Sequence, residues 1–443
     1  MSNARSHAVV LGGSIAGLLA ARVLADSYDK VTIIERDRLL SSVAHRRGVP
    51  HGHHVHGLLP QGAIVLEELL PGITEQLLDQ GALPGDILGN VRWHLNGRQL
   101  RRADAGLTML SASRPLIEST IRLRVWSLWN VEVLDGYDIV GLAASRDRRR
   151  ITGVRATSTH GGGSRLVPAD LVVDATGRGS HTLRWLAALG YQAPPQERVH
   201  IDLRYSSRMF QVPPGAFGDD VVVVTSRFPG QRRSGVAQRL EGGRALVTLA
   251  GVLGERPPLD ARGFAAYAET LAAPDIHAIV RVGRPVGEAA PFRCPTYVRN
   301  RYERLTELPA GLLVIGDALC SFNPVYAQGM SVAALGATAL RDVLRTGGEP
   351  NPHRYFERLS RTLDAPWALA VGPDMALAGV TGPALPKSPL TPEYLAQLQL
   401  VATEDAELAA TFVRVTSLVD PPSALLRPEI ADRVRAHGTV LVR

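Results

Sequence analysis

Gly12, Ser14 and Gly17 stand in one turn, Gly12-Gly13-Ser14-Ile15-Ala16-Gly17, and Glu35 follows 18 residues after Gly17. Residues of these types at this spacing suit a pyrophosphate and a ribose. Gly12 permits a tight turn, and Gly17 has no side chain to hold a helix off a sheet. A helix opening here aims free N–H groups and its positive dipole end at phosphate oxygens. A carboxylate at Glu35 accepts from ribose hydroxyls. Ser14 replaces the middle glycine of the usual pattern; its small hydroxyl still allows close approach and can donate to phosphate.

Two later segments have the same character. The apolar run Ala169 to Asp174 enters Ala175-Thr176-Gly177-Arg178-Gly179-Ser180, where backbone can approach a ligand closely. The run Gly311 to Ile315 ends in Gly316-Asp317, and Asn323-Pro324 and Gln328-Gly329-Met330 then open a helix to about Arg345. An acid at a strand end can bind a hydroxyl, and a helix N-terminus can face a negative ring edge. Between residues 45 and 56 lie five histidines: His45, His51, His53, His54 and His56. No Cys, Asp or Glu lies among them, and Gly48, Pro50 and Gly52 make the segment a loop. No metal site is expected there.

The elements that must position these residues follow from periodicity and turn chemistry. Ala8 to Leu11, a helix over Leu18 to Asp26 and Val31 to Ile34 form a βαβ unit. A helix is predicted from about Gln61 to Leu70. Residues 89–102 read as a hairpin turning at Asn96-Gly97. Ser113 to Glu118 opens a helix with Pro115 at its first position. Short strands are expected near 131–134, 138–143 and 151–156. From Pro194 to about Arg284 alternation predicts strands at 199–211, 219–227, 234–240 and 244–251, then a helix near 260–272 ended by Pro274. This block reads as an antiparallel sheet with one covered face. Beyond Asn351 the chain is mostly helical, broken by Pro383, Pro386, Pro389 and Pro392.

A chain of 443 residues exceeds one small core, so two or three subdomains are expected. At 45% hydrophobic and 21% charged residues it has a soluble globular composition. No apolar run of transmembrane length stands out, and with a first strand so near Met1 no signal peptide is expected. Cys294 and Cys320 are the only cysteines, which favours a reducing, cytoplasmic setting over a disulfide framework. Net charge is +7, yet the arginines are scattered without a basic stripe interleaved with aromatics, so nucleic acid is not an expected partner.

The three motifs in this order resemble the FAD-dependent aromatic hydroxylases, the single-component flavoprotein monooxygenases typified by para-hydroxybenzoate hydroxylase. The resemblance runs from about residue 6 to 350 and rests on GGSIAG at 12–17 with Glu35, DATGRGS at 174–180, and Gly316-Asp317 with the 324–330 segment. The RRGVPHGHHVHGLL segment, the SRPLIE segment and the long segment at 311–336 look like a bacterial subgroup that includes flavin epoxidases of polyether polyketide pathways. The implied fold is α/β: a discontinuous Rossmann-like FAD-binding domain, an antiparallel-sheet substrate domain and a helical C-terminal region. The implied boundaries are 1–190 and 285–350 for the first, 191–284 plus the 89–102 hairpin for the second, and 351–443 for the third.

The resemblance also implies roles. Gly12, Ser14 and Gly17 would hold the FAD pyrophosphate and Glu35 the adenosine ribose, with Arg36 near the adenine. Arg46 and Arg114 would approach the phosphates, and Asp317 the ribityl chain. Pro324, Gly329 and Met330 would lie along the isoalloxazine, and Asp174 belongs to a motif tied to FAD and nicotinamide. Leu203, Tyr205 and Met209, on the apolar face of a substrate-side strand, are candidates for substrate contact. No catalytic side chain is assigned. The implied reaction uses a C4a-hydroperoxyflavin, formed with O2 after reduction by transient NADPH or NADH or through a separate flavin reductase. One oxygen passes to a small apolar natural-product intermediate, with alkene epoxidation in polyketide or antibiotic biosynthesis foremost. Aromatic hydroxylation, an alkene reductase of the geranylgeranyl reductase kind and a non-catalytic flavin-containing binding module stay open. A halogenase does not fit, because its W-x-W-x-I-P signature is absent and Lys30 and Lys387 lie at unsuitable places.

Overall fold

In the computed structural model, which describes residues 5–39, 43–228, 230–384 and 388–438, the N-terminal βαβ unit is β1 (Arg5–Leu11), α1 (Ile15–Ala25) and β2 (Tyr28–Glu35). Pro386 and Lys387 lie outside the described residues. Ala8, Val9, Val10 and Leu11 are wholly buried, because a central parallel strand is covered on both faces and so reads as a continuous apolar run. The parallel sheet has five strands in the order Leu312–Val314, Leu171–Asp174, β1, β2, Val131–Asp135. This order sets the three strand ends that carry Gly12, Asp174 and the Gly316-Asp317 turn side by side. A small antiparallel sheet of Tyr137–Ala144, Ile151–Ser158 and Ser164–Pro168 adjoins it.

The second large sheet has seven strands: Arg284–Asn300, Gln196–Gln211, Arg244–Gly251, Arg233–Leu240, Val222–Thr225, Val91–Leu95 and Arg98–Gln99. All its pairs are antiparallel except Val91–Leu95 on Val222–Thr225. The 89–102 hairpin lies at its far edge and turns through Asn96 and Gly97, both at positive φ. Two expectations need correction. The segment from 285 was given to the flavin domain, but Arg284–Asn300 is a 17-residue edge strand along Gln196–Gln211. Pro274 does not merely end a helix; it precedes a second one, Asp275–Val282, after Ala261–Glu269.

These two helices cover one face of the sheet, where Phe210, Val247 and Leu249 meet Phe264, Ile276 and Ile279. The other face receives the histidine loop, through Val55 N–H to Thr248 Oγ1 at 3.0 Å. The long helix Gly329–Arg345 packs beside α1, and Pro352–Met375 packs on it in turn. Pro366 and Pro373 sit inside that last helix without ending it. Pro392, read as a break, opens the helix Pro392–Val401 instead, at the first position where no N–H is needed. The last helices bury Leu398, Val401, Leu408 and Val413 against Ile87, Val91 and Val222. Among the described residues no helix is long and apolar enough to cross a membrane.

Candidate functional site

Gly12 takes φ +97°, and its N–H donates to the Ile34 carbonyl at 2.8 Å. A Cβ here would lie 2.8 Å from the Ala175 carbonyl oxygen, so the turn and the 174–180 segment touch backbone to backbone. Ser14 is the N-cap of α1 but makes no side-chain cap bond, and the first turn contains no acid. The helix N-terminus therefore keeps uncapped N–H groups, as an anion site requires.

Around this turn the structure assembles a buried ion cluster. Glu118 sits at its centre: it accepts from Ser14 Oγ at 3.0 Å and from Arg46 Nε at 2.7 Å, and pairs with Arg114 Nη1 at 2.7 Å. Burial alone would raise the Glu118 carboxyl, but Arg114, Arg46 and the Ser14 hydroxyl outweigh it and hold it below the usual range. Arg46 also pairs with Glu35 at 3.4 Å and Asp37 at 3.6 Å. Arg114 Nη2 donates to Ser14 Oγ at 3.0 Å, while its buried Nε has no partner among the described residues. Arg46 and Arg114 are thus buried beside the turn. Glu118 was missed; its signal was the four-residue spacing from Arg114.

Glu35 does more than wait for a ribose. Its Oε2 accepts from Gly13 N–H at 2.7 Å and its Oε1 from Asp37 N–H at 3.0 Å, which ties strand end to turn. Arg36 lies apart, 61% exposed and 3.6 Å from Asp138. Asp174 is a second departure from expectation. It is fully buried, and its two oxygens take four donors, from Thr176 N–H and Oγ1, Ser180 Oγ and Thr182 Oγ1. That carboxylate organises its own turn and has no capacity left for a ligand.

The third motif touches the second. Asp317 is half-exposed and accepts from Arg178 Nε at 3.3 Å. Arg178, not singled out in the sequence, also donates to the Phe322 carbonyl at 2.8 Å and so joins the second motif to the third. Pro324 opens a short 3-10 turn, Ala327 holds φ +54°, and Gln328 stands before the helix from Gly329 without a side-chain cap bond. A Cβ on Gly329 would meet nothing within 4 Å, so this helix end faces open space. Met330 is buried in the core, leaving only its backbone for a ligand. Behind this segment Asp374 accepts from Asn323 Nδ2 at 2.7 Å, Tyr297 Oη at 2.8 Å and Tyr326 Oη at 2.7 Å, and pairs with Arg227.

A cavity of 790 Å³ lies between the histidine loop, the start of the Arg114–Trp126 helix and the seven-stranded sheet. Its floor includes Met209, Leu246, Val286 and Ala290, and Arg114, His53 and Arg244 stand among its polar lining. Of the three substrate candidates only Met209 lines it. Leu203 is sealed in the core, and Tyr205 packs on His54 and Phe292 with ring centroids 5.7 and 6.0 Å away. The alternation that suggested these residues is broken by a bulge between Ser207 and Met209.

The histidines form pairs rather than a metal cage. His45 stacks on His53 at 3.8 Å, His51 meets His56 at 3.1 Å, and His54 Nδ1 meets Ser207 Oγ at 2.7 Å. Among the described residues no three His, Cys, Asp or Glu side chains are grouped to hold a metal. Burial first, then His53 and His45, push His54 down to about 4. Its folded value lies below the unfolded 6.5, so its contribution is intact above pH 6.5 and is lost as pH falls toward 4. Stability should fall by about 1.4 kcal/mol per pH unit in that window from His54 alone. Denaturant midpoints at pH 7 and pH 5 measure this, and His54→Gln should flatten the slope; an unchanged slope in the variant would refute it.

No family model matches the chain. Protein Rv3254 of Mycobacterium tuberculosis is 32% identical over 454 residues, covering 99% of this chain and 95% of that protein. Among solved structures, the flavin-dependent brominase Bmp2 superposes with a TM-score of 0.67 at 13% identity, over 99% of both chains. The p-nitrophenol 4-monooxygenase PnpA of Pseudomonas putida DLL-E4 gives 0.61 at 14% identity, over 100% of this chain and 98% of that one. At such identities the likeness is one of fold. The chain belongs to the family of Protein Rv3254 and has the fold shared by flavin-dependent monooxygenases and brominases.

Proposed function

We propose that this protein is an FAD-dependent monooxygenase that transfers one oxygen of O2 to a small apolar molecule. The observation that carries the reading is the uncapped N-terminus of α1 beside Ser14 and the orphaned Arg114 Nε, with the half-exposed Asp317 at the end of another strand of the same sheet. The donor set fits FAD: N–H groups and a guanidinium for a pyrophosphate, a carboxylate for a polyol, and an open helix end at Gly329 for a ring edge. Bound flavin supplies the redox and oxygen chemistry that side chains lack. The chain binds and orients it. With a single dinucleotide turn, the reductant is transient NADPH or NADH, or a separate flavin reductase.

Within that reading the substrate is an alkene of a polyketide-like or terpenoid natural product. The apolar floor of Met209, Leu246, Val286 and Ala290 favours it over a small acidic phenol. The 790 Å³ cavity is of ligand size. A halogenase is disfavoured because Lys30 pairs with Glu132 at 2.7 Å on the outer part of β2, away from the cavity. An alkene reductase is the second reading.

Purified protein should be yellow with one flavin per chain. Turnover under labelled dioxygen with a panel of alkenes and phenols, read by mass spectrometry, should give an epoxide carrying one labelled oxygen. Label on an aromatic ring would keep the oxygenase and replace the substrate. A product gaining two hydrogens and no oxygen would replace the oxygenase with the reductase. Flavin bleached only when a reductase is added would assign reduction to a partner.

A further inference from the structure

The histidine loop touches two separate parts of the proposed flavin site. At one end a Cβ on Gly52 would lie 4.0 Å from Arg114 Cγ, and at the other a Cβ on Gly57 would lie 2.9 Å from Ala327 Cβ. The loop thus spans from the pyrophosphate end to the segment before Gly329. His51 adjoins Gly52, His56 adjoins Gly57, and their rings meet; the charges of both Arg114 and Arg178 act on His51.

Their hydrogen bonds fix both tautomers. The His54 carbonyl, 2.9 Å from His56 Nδ1, can only accept, so His56 Nδ1 carries the proton. Burial and Arg114 push His56 down to about 3, so it holds no second proton and its Nε2 is a bare acceptor. That Nε2 is 3.1 Å from His51 Nδ1, which must therefore be the donor. Burial, then His56, Arg114 and Arg178, hold His51 well below the ordinary histidine value, so it is neutral too. His51 Nε2 is left with a lone pair and no proton, within reach of the charges of Arg114 and Arg178.

We propose that His51 Nε2 accepts a hydrogen bond from a hydroxyl of the polyol chain joining the FAD pyrophosphate to its ring, with His56 as the positioning residue that sets the tautomer. The assignment rests on the FAD reading above. Its chemistry is particular: a neutral acceptor serves a polyol hydroxyl, whereas a protonated imidazole would serve a phosphate. His51 feels the charges of both Arg114, beside Ser14, and Arg178, the partner of Asp317, and a polyol joins a pyrophosphate held at the first to a ring approached from the second.

The test uses the full chain freed of flavin and titrated with FAD, and separately with ADP, which lacks the polyol. His51→Leu should weaken FAD about ten-fold and leave ADP unchanged. His51→Gln, whose amide oxygen can accept, should stay within about three-fold of the parent. Nitrogen-15 chemical shifts of labelled histidine should show His51 and His56 in the Nδ1–H form at pH 7, and His56→Leu should release His51 into the commoner Nε2–H form. Equal FAD affinity in His51→Leu, an equal loss for ADP, or an Nε2–H signature for His51 in the parent would each overturn the assignment. A parent chain that binds ADP but no FAD would overturn the flavin reading itself, and this assignment with it.

Discussion

Replacing Asp374 with leucine should lower the unfolding free energy by about 3–5 kcal/mol. Asp374 is fully buried on the helix Pro352–Met375, and Arg227, with an 8% exposed side chain, is its ion-pair partner. Removing the carboxylate strands the Arg227 guanidinium in the interior. Its remaining contact there is with Tyr326 Oη at 3.1 Å. The Tyr297 and Tyr326 hydroxyls and the Asn323 amide lose an acceptor at the same time. Each buried donor left unmatched costs about 1–3 kcal/mol. The double variant Arg227→Met/Asp374→Leu removes the charge but not the orphaned phenols, so it should recover about half of the loss. Denaturant unfolding of the three proteins measures this. A single variant within about 1 kcal/mol of the parent would show that the network contributes little. The same variant should loosen flavin, because Asn323 and Tyr326 belong to the segment that shapes the approach to Gly329.

How much of this was legible beforehand follows from where the partners lie in the chain. The glycine turn, its helix and Glu35 fall within about thirty residues, and local periodicity with turn chemistry is sufficient for such a unit. Arg46 and Arg114 were found through segment likeness, and both do flank the turn. Asp374 carries no local signal, since its partners stand 48 to 147 residues away. The edge strand Arg284–Asn300 was lost because Pro285, Pro291 and Pro295 interrupt its pattern. Proline is tolerated there since an edge strand has one unpaired side. The strand Gln196–Gln211 misled differently. Both of its faces are covered, so Ser207 and Arg208 are as buried as Leu203, and alternation does not say which face meets a ligand. Asp174 reads as a ligand-facing acid by position, but Thr176, Ser180 and Thr182 close over it.

Two glycines separate folding from binding, and their substitutions should diverge. A Cβ on Gly17 would stand 1.8 Å from the Gly12 carbonyl oxygen and 3.3 Å from Val10 Cγ1. The clash is with backbone, so no rotamer change relieves it; α1 must lift away from β1. Gly17→Ala should therefore cost about 3 kcal/mol or more and leave the protein without flavin, because the lifted helix no longer points its N–H groups at the turn. Gly329 is the opposite case. It is exposed at the first turn of Gly329–Arg345, and a Cβ there meets nothing within 4 Å. Gly329→Val should stay within about 0.5 kcal/mol of the parent in stability. Its side chain nevertheless enters the space where the ring edge is expected, so the variant should fold, yet purify with little or no yellow colour. The ratio of flavin to protein absorbance, read beside the melting temperature, distinguishes the two. A stable, fully yellow Gly329→Val would remove that helix end from the cofactor site. A stable, fully yellow Gly17→Ala would contradict the close approach of α1 to the turn on which the whole reading is built.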